Sequence, residues 1–243
     1  MKNLLLLLSS AGILSSSLMA ETTDWTTQYT ELLQKYVTSS GVKYNAWHKS
    51  SGDLNKLKKV VDGVADQSLS GLGRDEKLAF YINAYNAWTV HHFLERHPYN
   101  NDNFLKRNGF FGSKIITVAG EKMSFNHLEH DIIRPHFNEA RVHFALNCAS
   151  ASCPPLLDRA FVASTLDADL QTLTLAYIND NPEGVTLEKG GSVARISQIF
   201  DWFAEDFNDG DVKSYLNEFR KNPLKKSTKI EFQKYDWSRN EAK

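Results

Sequence analysis

The stretch from Leu78 to Val90 is apolar on almost every side of a helix. A surface helix shows one apolar stripe, so a helix without a polar face has to lie inside, covered by other elements on several sides. Arg74 to Lys77 open it with charge, and two asparagines, Asn83 and Asn86, interrupt its apolar run. Three positions apart, they share a face. A buried amide without partners costs roughly 1–3 kcal/mol. These two therefore either pin a loop against the helix or sit beside a site, orienting a reacting group or binding substrate. His91 and His92 follow. Adjacent helical residues point about 100° apart, too far to chelate one metal readily, and the dipole at a helix C-terminus accounts for them.

What covers this helix is legible as periodicity. Trp25, Tyr29, Leu32, Leu33 and Tyr36 predict an amphipathic helix over 24–37, ended by Gly41. Leu54, Leu57, Val60, Val61 and Val64 predict a second over 53–64. A polar loop carrying Phe104, Phe110 and Phe111 spans Asn100 to Gly112, and Ile115 to Met123 reads as a hairpin around Gly120. Ser124 is the expected N-cap of a helix from Phe125 to about Arg134, which Pro135 should stop. Later come a capped helix from Ser164 through Tyr177, a hairpin around Gly190 and Gly191, and an aromatic helix from Ser197 to Phe207. A helix follows Asp211, and Ile230 to Phe232 reads as a last strand leading into Tyr235 to Trp237. No repeat or Pro/Gly/Ser-rich linker divides this series. The expected architecture is α+β, a single compact domain over residues 21–243 with helices around a small, mostly antiparallel sheet.

Residues 1–20 read as a signal peptide: Lys2, then the apolar run from Leu4, then small residues up to Ala20. Serines interrupt that run, leaving it too short and polar to span a bilayer. The expectation is export to a periplasm or secretion, with no membrane span. A formal net charge of −1 gives no electrostatic footprint for nucleic acid.

The chemistry concentrates between Arg141 and Pro155, which hold both cysteines of the chain. Val142, Phe144 and Leu146 alternate with Arg141, His143 and Asn147, predicting a strand. Small residues from Ala149 to Ser152 and then Pro154 and Pro155 stop it after Cys148. Upstream, His127, Glu129, His130 and Arg134 share the helix after Ser124. The metal readings fail on spacing. His127 and His130 are three apart where an inverted zincin needs four, and the proline precedes neither cysteine as zinc deaminases require. No metal and no cofactor is expected. A Cys148–Cys153 disulfide closes a loop so small that chain entropy gives it only about 2 kcal/mol, so it would shape the loop more than hold up the fold.

The remaining reading is a thiol enzyme. Cys148 would be the nucleophile, and His143 or His130 the general base oriented by Glu129 or an asparagine. Backbone N–H groups of 149–152 would serve as oxyanion donors. Arg141 is a candidate for a substrate carboxylate, with Asn83, Asn86 and Asn147 as further substrate contacts. An ideal strand places Cys148 and His143 on opposite faces, so a bulge at Asn147 or a base from the helix of Glu129 and His130 is needed.

Four motifs support a resemblance. Phe80-Tyr-Ile-Asn-Ala-Tyr-Asn-Ala87, Leu128-Glu-His130 with Arg134, Arg141 to Cys148 with Ser152-Cys-Pro-Pro155, and Tyr235-Asp-Trp237 resemble the domain-of-unknown-function 547 family, in order across most of the mature chain. The resemblance implies an exported bacterial protein and points by position to Asn83, Asn86, Glu129, His130, Arg141, His143 and Cys148. It implies no reaction. It also implies that the position of Cys153 can be serine in plant-like relatives, which shifts weight toward Cys148. The expected function is a cysteine-dependent hydrolase or acyltransferase of broadly papain- or transglutaminase-like logic, acting on a small amide or peptide-like substrate. The alternative is a non-catalytic periplasmic binding or scaffold module whose loop is shaped by a Cys148–Cys153 bond.

Overall fold

The computed structural model describes residues 24–96 and 109–242. The leader expected over 1–20 and most of the loop expected from Asn100 to Gly112 lie outside them. Helix α1 (Asp24–Tyr36) leads through the short hairpin of β1 (Val37–Thr38) and β2 (Gly41–Val42) into α2 (Tyr44–His48) and α3 (Ser51–Asp66). Helix α4 (Arg74–Glu95) is the expected central helix, with Leu78, Ile82, Ala84 and Ala87 all fully buried. Its N-terminus is closed by Glu76, whose carboxylate accepts the Gly73 N–H at 2.6 Å. Trp88 ties it to the next hairpin by donating Nε1–H to the Thr117 carbonyl at 2.9 Å. That hairpin joins β3 (Ile116–Val118) to β4 (Glu121–Met123) through Ala119 and Gly120, both at positive φ, as a two-residue turn requires.

The helix after Ser124 forms, but not as an α-helix stopped by Pro135. Residues His127–Ile133 are a π-helix, with the Arg134 N–H reaching back to the Glu129 carbonyl, and α5 (Arg134–Phe137) continues through the proline. Proline clashes with the carbonyl four residues back in a regular ladder; the wider π turn accommodates it. Asn138, at φ 44°, ends the run.

The expected strand from Arg141 is absent. Residues Ala140–Phe144 form a 3-10 helix whose first turn is capped by Glu139, which accepts the Arg141 N–H at 3.2 Å. The alternation has another cause. Val142, Ala145 and Leu146 pack into the larger apolar cluster around α1, α3 and α4, while Phe144 packs into a second one. The segment is buried on both sides because it runs between two cores, not because it lies in a sheet.

The second cluster is built on α6 (Leu166–Asn179), on β5 (Val185–Glu188) and β6 (Val193–Ile196), and on β7 (Lys229–Phe232). Strand β7 pairs with β6 in parallel, the other pairings being antiparallel. The fold is α+β, with helices packed around three small sheets among the described residues. The aromatic helix expected from Ser197 to Phe207 is broken. Helix α7 (Ile199–Trp202) gives way to 3-10 turns at Ala204–Asp206 and Asn208–Gly210 before α8 (Val212–Phe219). Phe200 and Phe207 both sink into the second cluster, and the break at Phe203 lets them do so while Asp206 turns to its partners.

The two α4 asparagines bond to backbone. Asn83 donates to the Phe161 carbonyl and accepts the Phe161 N–H, each at 2.8 Å. Asn86 donates to the Ala145 carbonyl and accepts the Asn147 N–H, each at 2.9 Å. The loop-pinning role is therefore filled by both. Replacing Asn83 with alanine leaves one buried donor and one buried acceptor of Phe161 unpaired. Urea unfolding should show the Asn83→Ala protein destabilised by roughly 2–4 kcal/mol, with an unchanged m-value; a loss below 0.5 kcal/mol contradicts this account of the loop.

Candidate functional site

A cavity of about 490 Å³ opens between the two clusters, with Glu129, His130, Arg134, His143, Cys148 and Cys153 on its wall. The 3-10 helix removes the face problem posed by a strand: His143 and Cys148 border one space.

Behind the cavity wall, Asp206 binds two of its lining residues, Arg134 and His143. It takes a two-pronged ion pair from Arg134, Nε to Oδ2 at 2.6 Å and Nη2 to Oδ1 at 3.0 Å, and a hydrogen bond from His143 Nε2 at 2.7 Å. Burial alone would raise the Asp206 carboxyl, but the His143 and Arg134 hydrogen bonds overcome it and hold the group far below the usual carboxylate range. An ionised carboxylate only accepts, so Nε2 carries the proton. Nδ1 of His143 has no hydrogen-bond partner among the described residues. Burial pushes the His143 imidazolium down against the pull of Asp206, so the ring is held neutral with Nδ1 as its basic atom. Phe203 fixes the ring plane by stacking at 4.2 Å, and the Arg134 guanidinium lies 5.0 Å from the centre of the same phenyl ring.

Glu129 behaves in the opposite way. Burial raises its carboxyl above the ordinary 4.5, against the lowering effects of His130 and of the hydrogen bond from Tyr85. One cavity thus holds a base kept neutral and an acid biased toward its protonated form, a pattern that marks acid–base sites. His130 sits at the rim, its Nδ1 3.3 Å from Arg134 Nη1.

The sulfurs of Cys148 and Cys153 lie at disulfide distance across a loop with Ala149 at φ 60°. The Tyr235 hydroxyl reaches both, at 3.2 Å from Cys153 Sγ and 3.5 Å from Cys148 Sγ, and the Cys148 N–H donates to Cys153 Sγ at 3.0 Å. The chain's end straps this loop: the Ala151 and Ser152 N–H groups donate to the carbonyls of Ser238 and Asp236 at 2.7 and 3.2 Å. The Asn240 carbonyl then accepts the Val42 N–H at 2.9 Å, an approach open only because Gly41 has no Cβ.

Other expected site residues go elsewhere. The Ala149 N–H donates to Asn147 Oδ1 at 2.9 Å, so with Ala151 and Ser152 already bonded to the strap, these three donors expected for an oxyanion are engaged. Asn147 shapes the loop, its amide also donating to the Pro154 carbonyl at 2.7 Å. Arg141 is bound by Glu139, Asp167 and Gln171, away from the cavity wall, so its charge is already matched by protein carboxylates. Asn83 and Asn86 act through the backbone they hold. Asp206 is the residue that sequence reasoning passes over. Its signal is the one that singled out Asn83 and Asn86, a polar group amid large apolar neighbours, here Trp202, Phe203 and Phe207.

Residues 69–178 match the model of a family described as Protein of unknown function, DUF547. Glu129, His130, His143 and both cysteines fall inside that span; Asp206 and Tyr235 fall beyond it. No curated protein and no solved structure matches the chain. Among the described residues, no helix is long and apolar enough to cross a membrane.

The raised Glu129 carboxyl makes a stability prediction with a definite sign. A group whose folded pKa exceeds its unfolded value stabilises fully below the unfolded value and loses that contribution as pH rises through the folded one. Glu129→Gln keeps an acceptor for Tyr85 and removes the half-buried charge. Its thermal midpoint should exceed that of the unaltered protein at pH 8, with the gap shrinking toward pH 4.5; a gap that widens on acidification contradicts the assignment.

Proposed function

We propose that this DUF547 domain, completed by Asp206 and the C-terminal strap, is a thiol-dependent hydrolase or acyltransferase acting on amide or peptide-like substrates. The observation that carries the reading is the His143–Asp206 hydrogen bond. It fixes the proton on Nε2 and leaves Nδ1 as the basic atom of a ring that lines the same cavity as Cys148. A nucleophile, a base and a carboxylate that orients the base are the working parts of such enzymes.

The chemistry runs in two halves. The Cys148 thiol gives its proton to His143 Nδ1 and the thiolate attacks the carbonyl carbon. A C–S bond forms, the C–N bond breaks, and the imidazolium returns the proton to the leaving amine. Water or a second amine, deprotonated by the same Nδ1, then cleaves the thioester. The backbone donors of residues 149, 151 and 152 are engaged, so the oxyanion is assigned to the Glu129 carboxyl in its acid form, which burial favours. Joined to Cys153, Cys148 has no thiol, so the reading requires the dithiol form, reached when a small dithiol reductant takes over the bond. The leader expected over residues 1–20 would place the protein in an oxidising compartment, where the disulfide persists until such a reductant opens it.

A second reading draws on the same sulfur distance. A permanently closed Cys148–Cys153 bond makes the cavity a binding site on a shaped loop, with no nucleophile. Thiol labelling separates the two. After mild reduction, iodoacetamide should alkylate Cys148 rapidly at pH 7, Cys153→Ser should keep that labelling, and Asp206→Asn should slow acyl transfer by roughly 10²- to 10⁴-fold. The pH profile should fall on the acid side as His143 protonates and on the alkaline side as Glu129 ionises. Labelling at Cys153 in preference to Cys148, or a bond that resists reduction in the folded protein, sinks the thiol reading in favour of the second.

A further inference from the structure

The reactive groups of the cavity lie between residues 129 and 148, but the wall beside the sulfurs comes from elsewhere in the chain. Trp202 at the end of α7 packs against Tyr235 and Trp237 of the strap, ring centres 4.9 and 5.5 Å apart, nearly parallel to Trp237 at 26°. All three border the cavity. Trp202 remains 44 % exposed, whereas its neighbours Phe200 and Phe207 are fully buried in the second cluster. An indole held in place by ring contacts yet left open to the cavity is a platform for something flat or apolar.

The charges around it narrow what that can be. The Arg134 guanidinium is committed to Asp206 and His130, and Asp206 is matched by Arg134 and His143. His143 is held neutral and Glu129 is biased toward its acid form. An anionic substrate side chain would have to take Arg134 from Asp206, and a cationic one would have to draw off the Glu129 proton that burial favours. Leu146, Pro154, Ile199 and Phe203 add apolar surface to the same cavity. A neutral ring or bulky aliphatic group suits all of these surfaces.

We infer that the Trp202–Tyr235–Trp237 shelf is a specificity subsite that takes an aromatic or bulky apolar side chain of the acyl donor, next to the carbonyl that Cys148 attacks. The inference rests on the thiol-enzyme reading for its substrate and extends it to a substrate class. It also divides the labour of the chain. Residues 69–178 bring the nucleophile and base, and the segments after them bring the selectivity wall.

The test uses reduced full-length protein and a panel of N-acetyl p-nitrophenyl esters of Gly, Ala, Phe, Lys and Glu. The Phe ester should exceed the Gly ester in kcat/KM at least tenfold, and Trp202→Ala should reduce that ratio at least tenfold. Leu187→Ala, an equally exposed apolar side chain on β5 that does not line the cavity, should leave the ratio as it is. Equal turnover across the panel, or a ratio untouched by Trp202→Ala, overturns the shelf while leaving the thiol chemistry standing. Binding is read separately from chemistry with N-acetyl-phenylalaninamide and the Cys148→Ala protein. Saturable quenching of tryptophan fluorescence, lost in the Cys148→Ala/Trp202→Ala protein, supports the shelf even where no ester is turned over. Quenching by N-acetylglucosamine and not by the amide overturns the choice of occupant, and absence of both quenching and turnover overturns shelf and enzyme together.

Discussion

Two asparagine amides on one face of α4 do the work of a missing strand. Asn83 exchanges both backbone hydrogen bonds of Phe161, and Asn86 satisfies the carbonyl of Ala145 and the N–H of Asn147. A neighbouring strand would offer the same two complementary groups in an antiparallel pair. Because the amides sit on a helix fixed by burial on several sides, the segments they hold are placed as rigidly as the core itself. Cys148 and His143 flank the residues that Asn86 grips, so the reach of the site is set from inside α4.

That substitution also explains where sequence reasoning goes astray. Alternation from Arg141 to Asn147 reports burial on two sides, and a strand is its commonest cause. Here the two sides are two apolar clusters, and the hydrogen bonds come from side chains sixty positions away, which no local pattern reveals. Helices α1, α3, α4 and α6 and the hairpins at Gly120 and Gly190 are legible because their apolar periodicity and turn residues agree. The π-helix is not, since Pro135 ordinarily marks a stop and only the wider turn carries the helix past it. The break at Phe203 is hidden for a related reason: an aromatic run looks helical until its rings must enter a core already partly filled.

At the site, residue types were legible and partnerships were not. Glu129, His130, His143 and Cys148 stand out by chemistry and do border one cavity. Which carboxylate serves the histidine is a tertiary fact, because Asp206 and Glu129 are both plausible from composition. Environment separates them. Asp206 has a guanidinium and an imidazole N–H to stabilise its charge, while Glu129 has a phenol and a burial cost, so one is held ionised and the other is pushed toward its acid form. Two carboxylates, Glu129 on the cavity wall and Asp206 behind it, are thus given opposite charge states by their neighbours.

The strap closes the argument about the loop. A small-residue turn after a nucleophile ordinarily offers its backbone N–H groups to a developing oxyanion. In this chain those of Ala149, Ala151 and Ser152 are already bonded, one to Asn147 and two to the strap, and the strap is itself pinned to β2 at Gly41. Freeing one of them for a transition state would leave a strap carbonyl or the Asn147 amide without its partner. The loop is therefore built to hold the sulfurs still, and the π-helix brings Glu129 to the same cavity. The π turn of that helix and the bonded N–H groups of Ala149, Ala151 and Ser152 thus fix, from two different elements, the carboxyl and the sulfurs that line one cavity.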